Sequence, residues 1–274
     1  MNVPYFYKTL LIFGFSLIIS LFSSQSIASD MAKEKRWADQ IVDSIMIGEA
    51  KWLNVGNNKI LSIYTENNTD KAMGAAIILH GTGAHPNWDQ VVRPLRSQLP
   101  EYGWSTLSLQ LPVLTNQASY QDYIPLFKEI TPRIKAAVAF LKSKGIRNIV
   151  IIGHSLGSSM AAYYMANKPD AAIRAFVAVG VSGNMHQKDK VGYLTSLKKI
   201  KVPVLDIFGS IDLAQVLESE KLKAQVARKA GNKNYTQLKI SGANHFFDNK
   251  NDVLIKRVRG WLAKNAHGTE IKIK

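Results

Sequence analysis

Cysteine is absent from all 274 residues. The chain therefore makes no disulfide, offers no thiol nucleophile and builds no thiolate metal site. Acidic residues are scarce: 20 Asp and Glu stand against 35 Lys and Arg, giving a formal net charge of +15 and a pI near 9.8. Such an excess attracts polyanions and anionic membrane surfaces. Long apolar runs are missing apart from one near the start. Internal repeats, low-complexity tracts and Pro/Ser-rich linkers are missing too, so one domain is expected. No clustered His/Asp/Glu spacing and no phosphate-binding fingerprint occurs, and neither a metal nor an organic cofactor is implied.

The one long apolar run extends from Leu10 through Phe22. It follows a segment whose only charged side chain is Lys8. It precedes Ser26-Ile27-Ala28, whose small residues suit cleavage by a signal peptidase. The run is shorter than the roughly 20 residues of a membrane span. Residues 1–28 are therefore read as a signal peptide, with an uncleaved anchor as the alternative and no transmembrane span in the mature chain. Export to the periplasm is expected, or secretion. Losing residues 1–28 removes only Lys8, so the charge stays near +14 (15 minus 1). For an exported protein that charge suits anionic envelope surfaces rather than nucleic acid, although solubility alone also accounts for it. The clusters Lys33-Glu34-Lys35-Arg36, Lys198-Lys199-Ile200-Lys201 and Lys256-Arg257-Val258-Arg259 read as solvated faces.

Residues 29–274, rich enough in apolar side chains for one sizeable core, form the expected domain. It opens with a helical lead-in over 29–47 and closes with a polar tail over 266–274. Leu61-Ser62-Ile63-Tyr64 alternates apolar and polar, as a half-exposed strand does. Ala75 to Leu79 is continuously apolar, the texture of a strand buried on both faces of a parallel sheet. Further strands are expected at Thr106 to Leu109, Ile149 to Ile152, Ala175 to Val179, Val204 to Phe208 and Gln237 to Ile240. Helical patterns at Val91 to Leu99, Tyr123 to Lys144, Ser159 to Ala166, Ala214 to Ala230 and Asp252 to Ala263 lie between or after them. This alternation predicts an α/β fold: a mostly parallel sheet with helices on both faces and an antiparallel edge formed by the first strands.

The strand Ile149 to Ile152 runs into Gly153-His154-Ser155-Leu156-Gly157, and small residues follow on a helix. Strand, sharp turn and helix are the context in which G-x-S-x-G lifts a nucleophilic serine above a sheet edge. Ser155 is the candidate nucleophile, and His154 lies beside the site without acting as base. After Leu79 comes His80-Gly81-Thr82-Gly83, a loop suited to donating the Thr82 backbone N–H to an oxyanion, with Leu156 N–H as the second donor. His80 is read as structural, holding its loop by a hydrogen bond.

The remaining partners should follow in the order acid, then base. Asp212 lies past the strand Val204 to Phe208, on a loop, whereas Asp206 lies within that strand, too far back to reach a base above the sheet. Asp212 is the candidate acid. His245 follows the strand ending at Ile240 and is the candidate base. His85, His186 and His267 fit no such position.

With these residues placed, the mature chain resembles the α/β-hydrolase superfamily over nearly its whole length. His85-Pro86-Asn87-Trp88, Pro94-Leu95-Arg96 and Gly103 through Pro112 resemble a bacterial envelope α/β-hydrolase-like family of unassigned function. The resemblance implies the fold and the triad without a substrate. The expected activity is hydrolysis of an ester or thioester through an acyl-enzyme, on a small-molecule or lipid-like acyl substrate. Acyl transfer on the same triad and a non-catalytic envelope binding protein are the alternatives. Ser182 to Ile200 is short, polar and Lys-rich, so little or no lid is expected. Leu111 to Leu126, with Tyr120, Tyr123 and Leu126, is a second stretch able to cover the site.

Overall fold

The computed structural model describes residues 28–183 and 191–266. The apolar runs pair into one eight-stranded sheet. Its strands are β1 (Glu49–Val55), β2 (Asn58–Thr65), β3 (Gly74–Leu79), β4 (Trp104–Leu109), β5 (Ile149–His154), β6 (Ile173–Val179), β7 (Val204–Gly209) and β8 (Tyr235–Ile240). The order across the sheet is β1-β2-β4-β3-β5-β6-β7-β8. β1 and β2 pair antiparallel, as do β2 and β4; every other pair is parallel. The chain winds outward from β3 to β4 and then resumes at β5 on the other side of β3. That reversal opens a crevice at the carboxyl ends of β3 and β5, where open α/β sheets bind their ligands.

Helices cover both faces because parallel neighbours require crossovers. They are α1 (Met31–Val42), α2 (Val92–Gln98), α3 (Phe127–Ser143), α4 (Leu156–Ala166), α5 (Tyr193–Leu197), α6 (Ala214–Glu218), α7 (Glu220–Lys229) and α8 (Asn251–Asn265). Ile77, Ile151 and Ala178 face one apolar layer with α3, α4 and α5. Ile78, Ile152 and Val177 face the other, with α2 and α8. The central strands thus bury both sides, which is why β3 and β5 read as unbroken apolar runs. No described helix is long and apolar enough to cross a membrane.

Several expectations change. β2 is not half-exposed: Ile60 and Tyr64 join the α3 layer while Leu61 and Ile63 pack against Ala38 and Ile41 of α1. β1, which carries no strong apolar period, forms by pairing with β2. The basic cluster at the start of α1 is not all solvated. Glu34, 4% exposed, forms a two-pronged pair with buried Arg133 at 2.7 and 2.9 Å, tying α1 to α3. Lys33 donates to Leu114 O and Asn116 Oδ1, both at 2.7 Å. The helix expected over Ala214 to Ala230 breaks at Ser219, whose hydroxyl donates to Gln215 O at 2.8 Å and accepts Gly183 N–H at 2.9 Å. A hydroxyl that competes for backbone partners ends a helix. The expected signal peptide, apart from Ala28, and the tail beyond Ala266 lie outside the described residues, as do His186 and His267.

Candidate active site

β5 ends at His154 and α4 begins at Leu156, leaving Ser155 alone to make the turn, at φ 52° and ψ −118°. A side chain rarely adopts that backbone, and such strain persists only when its surroundings fix it. Here Ser155 N–H donates to Val179 O at 2.9 Å, and the Ser158 hydroxyl donates to Gly153 O at 2.6 Å. The turn also demands glycine on both sides. A Cβ at position 153 would stand 2.6 Å from Ser158 N, and one at 157 would strike Leu79 O at 2.6 Å and His80 O closer still.

The loop after β3 lies against this turn: a Cβ on Gly81 would be 3.3 Å from Ser155 Cβ. His80 holds the loop. Its Nε2 accepts Leu111 N–H at 2.9 Å, which leaves Nδ1–H to donate to Gly81 O at 2.9 Å. Burial pushes the His80 pKa down to about 3, so the ring stays neutral. Thr82 lines the same cavity as Ser155. Leu156 opens α4, and the first amides of a helix have no partner within it. The positive end of the α4 dipole therefore points at the Ser155 turn.

Asp212 lies past the end of β7 and His245 past the end of β8, and the two loops are stitched together. Ser210 N–H donates to Ile240 O at 2.9 Å and Ile211 N–H to Ala243 O at 3.0 Å. Asp212 Oδ1 lies 2.6 Å from His245 Nδ1 and accepts Leu213 N–H at 2.7 Å; its Oδ2 accepts Gly209 N–H at 3.2 Å. Burial alone would raise the Asp212 pKa, but the His245 hydrogen bond and charge, with the two amides, together hold it below the usual carboxylate range. With Nδ1 facing Asp212, the His245 ring has Nε2 left for another partner.

Asp206 points elsewhere. It is fully buried, with Lys223 Nζ at 3.0 Å, and accepts hydrogen bonds from Tyr235 Oη at 2.6 Å and Gln237 Nε2 at 2.9 Å. Lys223 Nζ also donates to Val181 O at 2.8 Å, which pins the backbone next to Gly180.

His154 lies beside the site as its sequence position implies, but its contacts, the role of Gly180 and the cavity itself are not legible in the sequence. His154 donates from Nε2 to His245 O at 3.0 Å, and its ring lies 4.9 Å from the His245 ring. Burial, with the neighbouring His245, brings its pKa down to about 4. Gly180, at φ +60°, lies flat against the pair: a Cβ there would meet His245 Nδ1 and Cε1 at 3.1 Å. A cavity of about 370 Å³ joins Ser155, Thr82 and His245, walled by Trp88, Tyr120, Leu213, Val216 and Phe246. No Asp, Glu, Lys or Arg lines it among the described residues. Of the stretch able to cover the site, Tyr120 reaches the cavity while Tyr123 and Leu126 belong to the core. Part of Ser182 to Ile200 lies outside the described residues; α5, within it, packs into the core. His85 packs edge-on between Trp37 and Trp88. A larger groove of about 560 Å³ between α1 and β1–β2 is lined by no Ser, Thr or His.

A family model described as a protein of unknown function, DUF3530, matches residues 14–125 and 124–264. No curated protein matches the sequence. Solved structures with the same fold include Est1E from Butyrivibrio proteoclasticus, 17% identical over 80% of this chain and 98% of that one, with a TM-score of 0.61. The esterase Pf2001 from Pyrococcus furiosus is 18% identical over 80% of this chain and 93% of its own, TM-score 0.63. XC6422 from Xanthomonas campestris, described as an α/β serine hydrolase without a lid, is 14% identical over 82% and 98%, TM-score 0.60. The architecture is that of the α/β hydrolases.

Proposed function

The chain belongs to the DUF3530 family and carries an α/β-hydrolase scaffold, and from that premise we propose that it is an exported serine hydrolase cleaving an ester or thioester. Ser155 is the nucleophile, His245 the base and Asp212 the acid that orients it. His245 Nε2 takes the Ser155 proton as the hydroxyl attacks the substrate carbonyl carbon. Asp212 keeps the proton on Nδ1 and stabilises the imidazolium. The carbonyl oxygen gains the negative charge, and Thr82 and Leu156 N–H receive it. The imidazolium then protonates the leaving alcohol or thiol, leaving an acyl group on Ser155. Water, deprotonated by the same imidazole, releases the acid and restores the serine.

The observation that carries this proposal is the 2.6 Å Asp212–His245 contact on the rim of the cavity that holds the strained Ser155 turn. A cavity without ionised walls suits an uncharged acyl group. Export rests on residues 1–28, and N-terminal sequencing of the protein from a periplasmic fraction checks it. A fluorophosphonate probe tests the chemistry: the wild type should be labelled once, at Ser155, and Ser155→Ala should not be labelled. Labelling that persists in the variant refutes the assignment.

A further inference from the structure

We propose that the protein docks on an anionic phospholipid bilayer through the amino ends of β5 to β8, with the cavity mouth turned away from the membrane. In a parallel sheet every helix-to-strand loop lies at the amino ends of the strands and every strand-to-helix loop at the carboxyl ends. Over β5 to β8 the charges divide along that line, whereas the loops before β3 and β4 carry Glu66, Asp70 and Glu101 against Lys71. Lys198, Lys199 and Lys201 precede β7, and Arg228, Lys229 and Lys233 precede β8; all six are exposed. Lys144 and Arg147, before β5, and Lys168 and Arg174, at the turn into β6 and its start, extend the row, also exposed. The one acidic residue in the loops before β5 to β8, Asp170, is already paired with Lys142 at 2.6 Å.

The loops form one surface, not scattered tufts. Asn232 Nδ2 donates to Ile200 O and Val202 O at 3.2 and 3.1 Å, and Lys201 Nζ donates to Ala230 O at 3.1 Å, joining the β7 and β8 turns. The opposite end differs in sign. The described strand-to-helix loops over 80–91, 110–119, 180–183, 210–213 and 241–250 carry Asp89, Asp212 and Asp248 against Lys250 alone. Like charges crowded on one end cost stability through repulsion, and an anionic partner relieves that cost.

The composition of the surface favours headgroups over nucleic acid. The β5–β8 loops hold no Phe, Tyr or Trp on which bases could stack. Lysine dominates, a flexible point charge suited to a diffuse array, whereas arginine's planar fork suits fixed phosphate geometry. Each such charge near an anionic leaflet adds to binding, and added salt screens it. β5 has six residues, and at about 3.3 Å per residue the strand holds Ser155 roughly 20 Å from the basic end. The docked protein therefore presents its cavity to solutes, not to the bilayer beneath it.

The test is sedimentation of the full chain with phosphatidylglycerol–phosphatidylcholine vesicles. Vesicles of phosphatidylcholine alone give the baseline and reveal any insertion by residues 10–22. Joint reversal of Lys198, Lys199, Lys229 and Lys233 to Glu should weaken binding at least about tenfold, as loss of several surface cations does. Reversal of Lys128, Lys135, Lys256 and Arg257 to Glu alters net charge equally and should weaken it far less. Ser155→Ala should bind as the wild type, which separates this proposal from the catalytic one. Hydrolysis of a soluble ester should continue unchanged on the vesicles. Equal loss in the two reversal variants, or no excess binding to anionic vesicles at low salt, overturns the docking face. Release from the vesicles by duplex DNA at lower phosphate concentration than phosphatidylglycerol requires overturns the lipid partner. Inhibition on vesicle binding overturns the orientation.

Discussion

Asp212 and Asp206 lie six positions apart, one at each end of the same strand-to-loop segment, and the structure predicts opposite penalties for neutralising them. Asp212→Asn keeps the size of the side chain but removes the charge facing His245 Nδ1 at 2.6 Å. The amide also offers a donor where an acceptor is needed, favouring the wrong imidazole tautomer. Loss of this interaction in a serine triad costs about 10⁴-fold in turnover, roughly 5 kcal/mol. Asp206→Asn instead strands Lys223, fully buried and 3.0 Å away. Removing one partner of a buried pair costs about 3–5 kcal/mol of stability. For a domain of this size that lowers Tm by roughly 6–20 °C. The assay is turnover of p-nitrophenyl butyrate at equal folded fraction, beside thermal unfolding by circular dichroism. Asp212→Asn should be nearly inactive with Tm close to wild type, and Asp206→Asn active but unstable. If Asp206→Asn, once folded, loses more turnover than Asp212→Asn, the acid lies on the strand and the geometry has been misread.

Gly180→Ala should lower turnover and cost about 1–3 kcal/mol of stability, because φ +60° strains any side chain and the new Cβ presses on His245 at 3.1 Å; unchanged kinetics and Tm would contradict that contact. His154 is held neutral with its pKa down at about 4, so the unfolded chain binds a proton there that the native one refuses. Stability is then full above the unfolded value of about 6.5 and falls as pH drops towards about 4. His154→Gln should flatten part of that acid limb, and an identical limb in urea titrations would dismiss the linkage. For acyl length, α5 packs into the core and not over the cavity of about 370 Å³, so a long chain runs out into solvent and the gain of about 0.8 kcal/mol per buried methylene should cease. Butyrate esters should exceed palmitate esters in kcat/KM; a steady rise to palmitate, or activation at the emulsion threshold, would reveal a trough or lid.

Local chemistry made much of this chain legible. β3, β5, β6 and β7 were visible because burial on both faces needs apolar side chains on both, while β4 and β8 mix polar with apolar residues, and β8, at the sheet edge, is only partly buried. The Gly153–Gly157 pattern was visible because only glycine tolerates the approach of Leu79 and Ser158. The chain order of Ser155, Asp212 and His245 could be read because each follows a strand, and strand ends are marked by where apolar runs stop. Tertiary structure alone decided what depends on contacts far apart in sequence. β1 exists because β2 is there to pair with it, and Glu34 is buried because Arg133, 99 positions on, neutralises it. The 2.6 Å approach of Asp212 to His245 comes from the β7 and β8 loops bonding to each other, and His154 and Gly180 border that pair only because β5 and β6 end beside them. The collection of basic loops at one end of the sheet was equally hidden. The sequence scatters those lysines over some ninety residues, and only parallel pairing brings the loops that carry them to the same side.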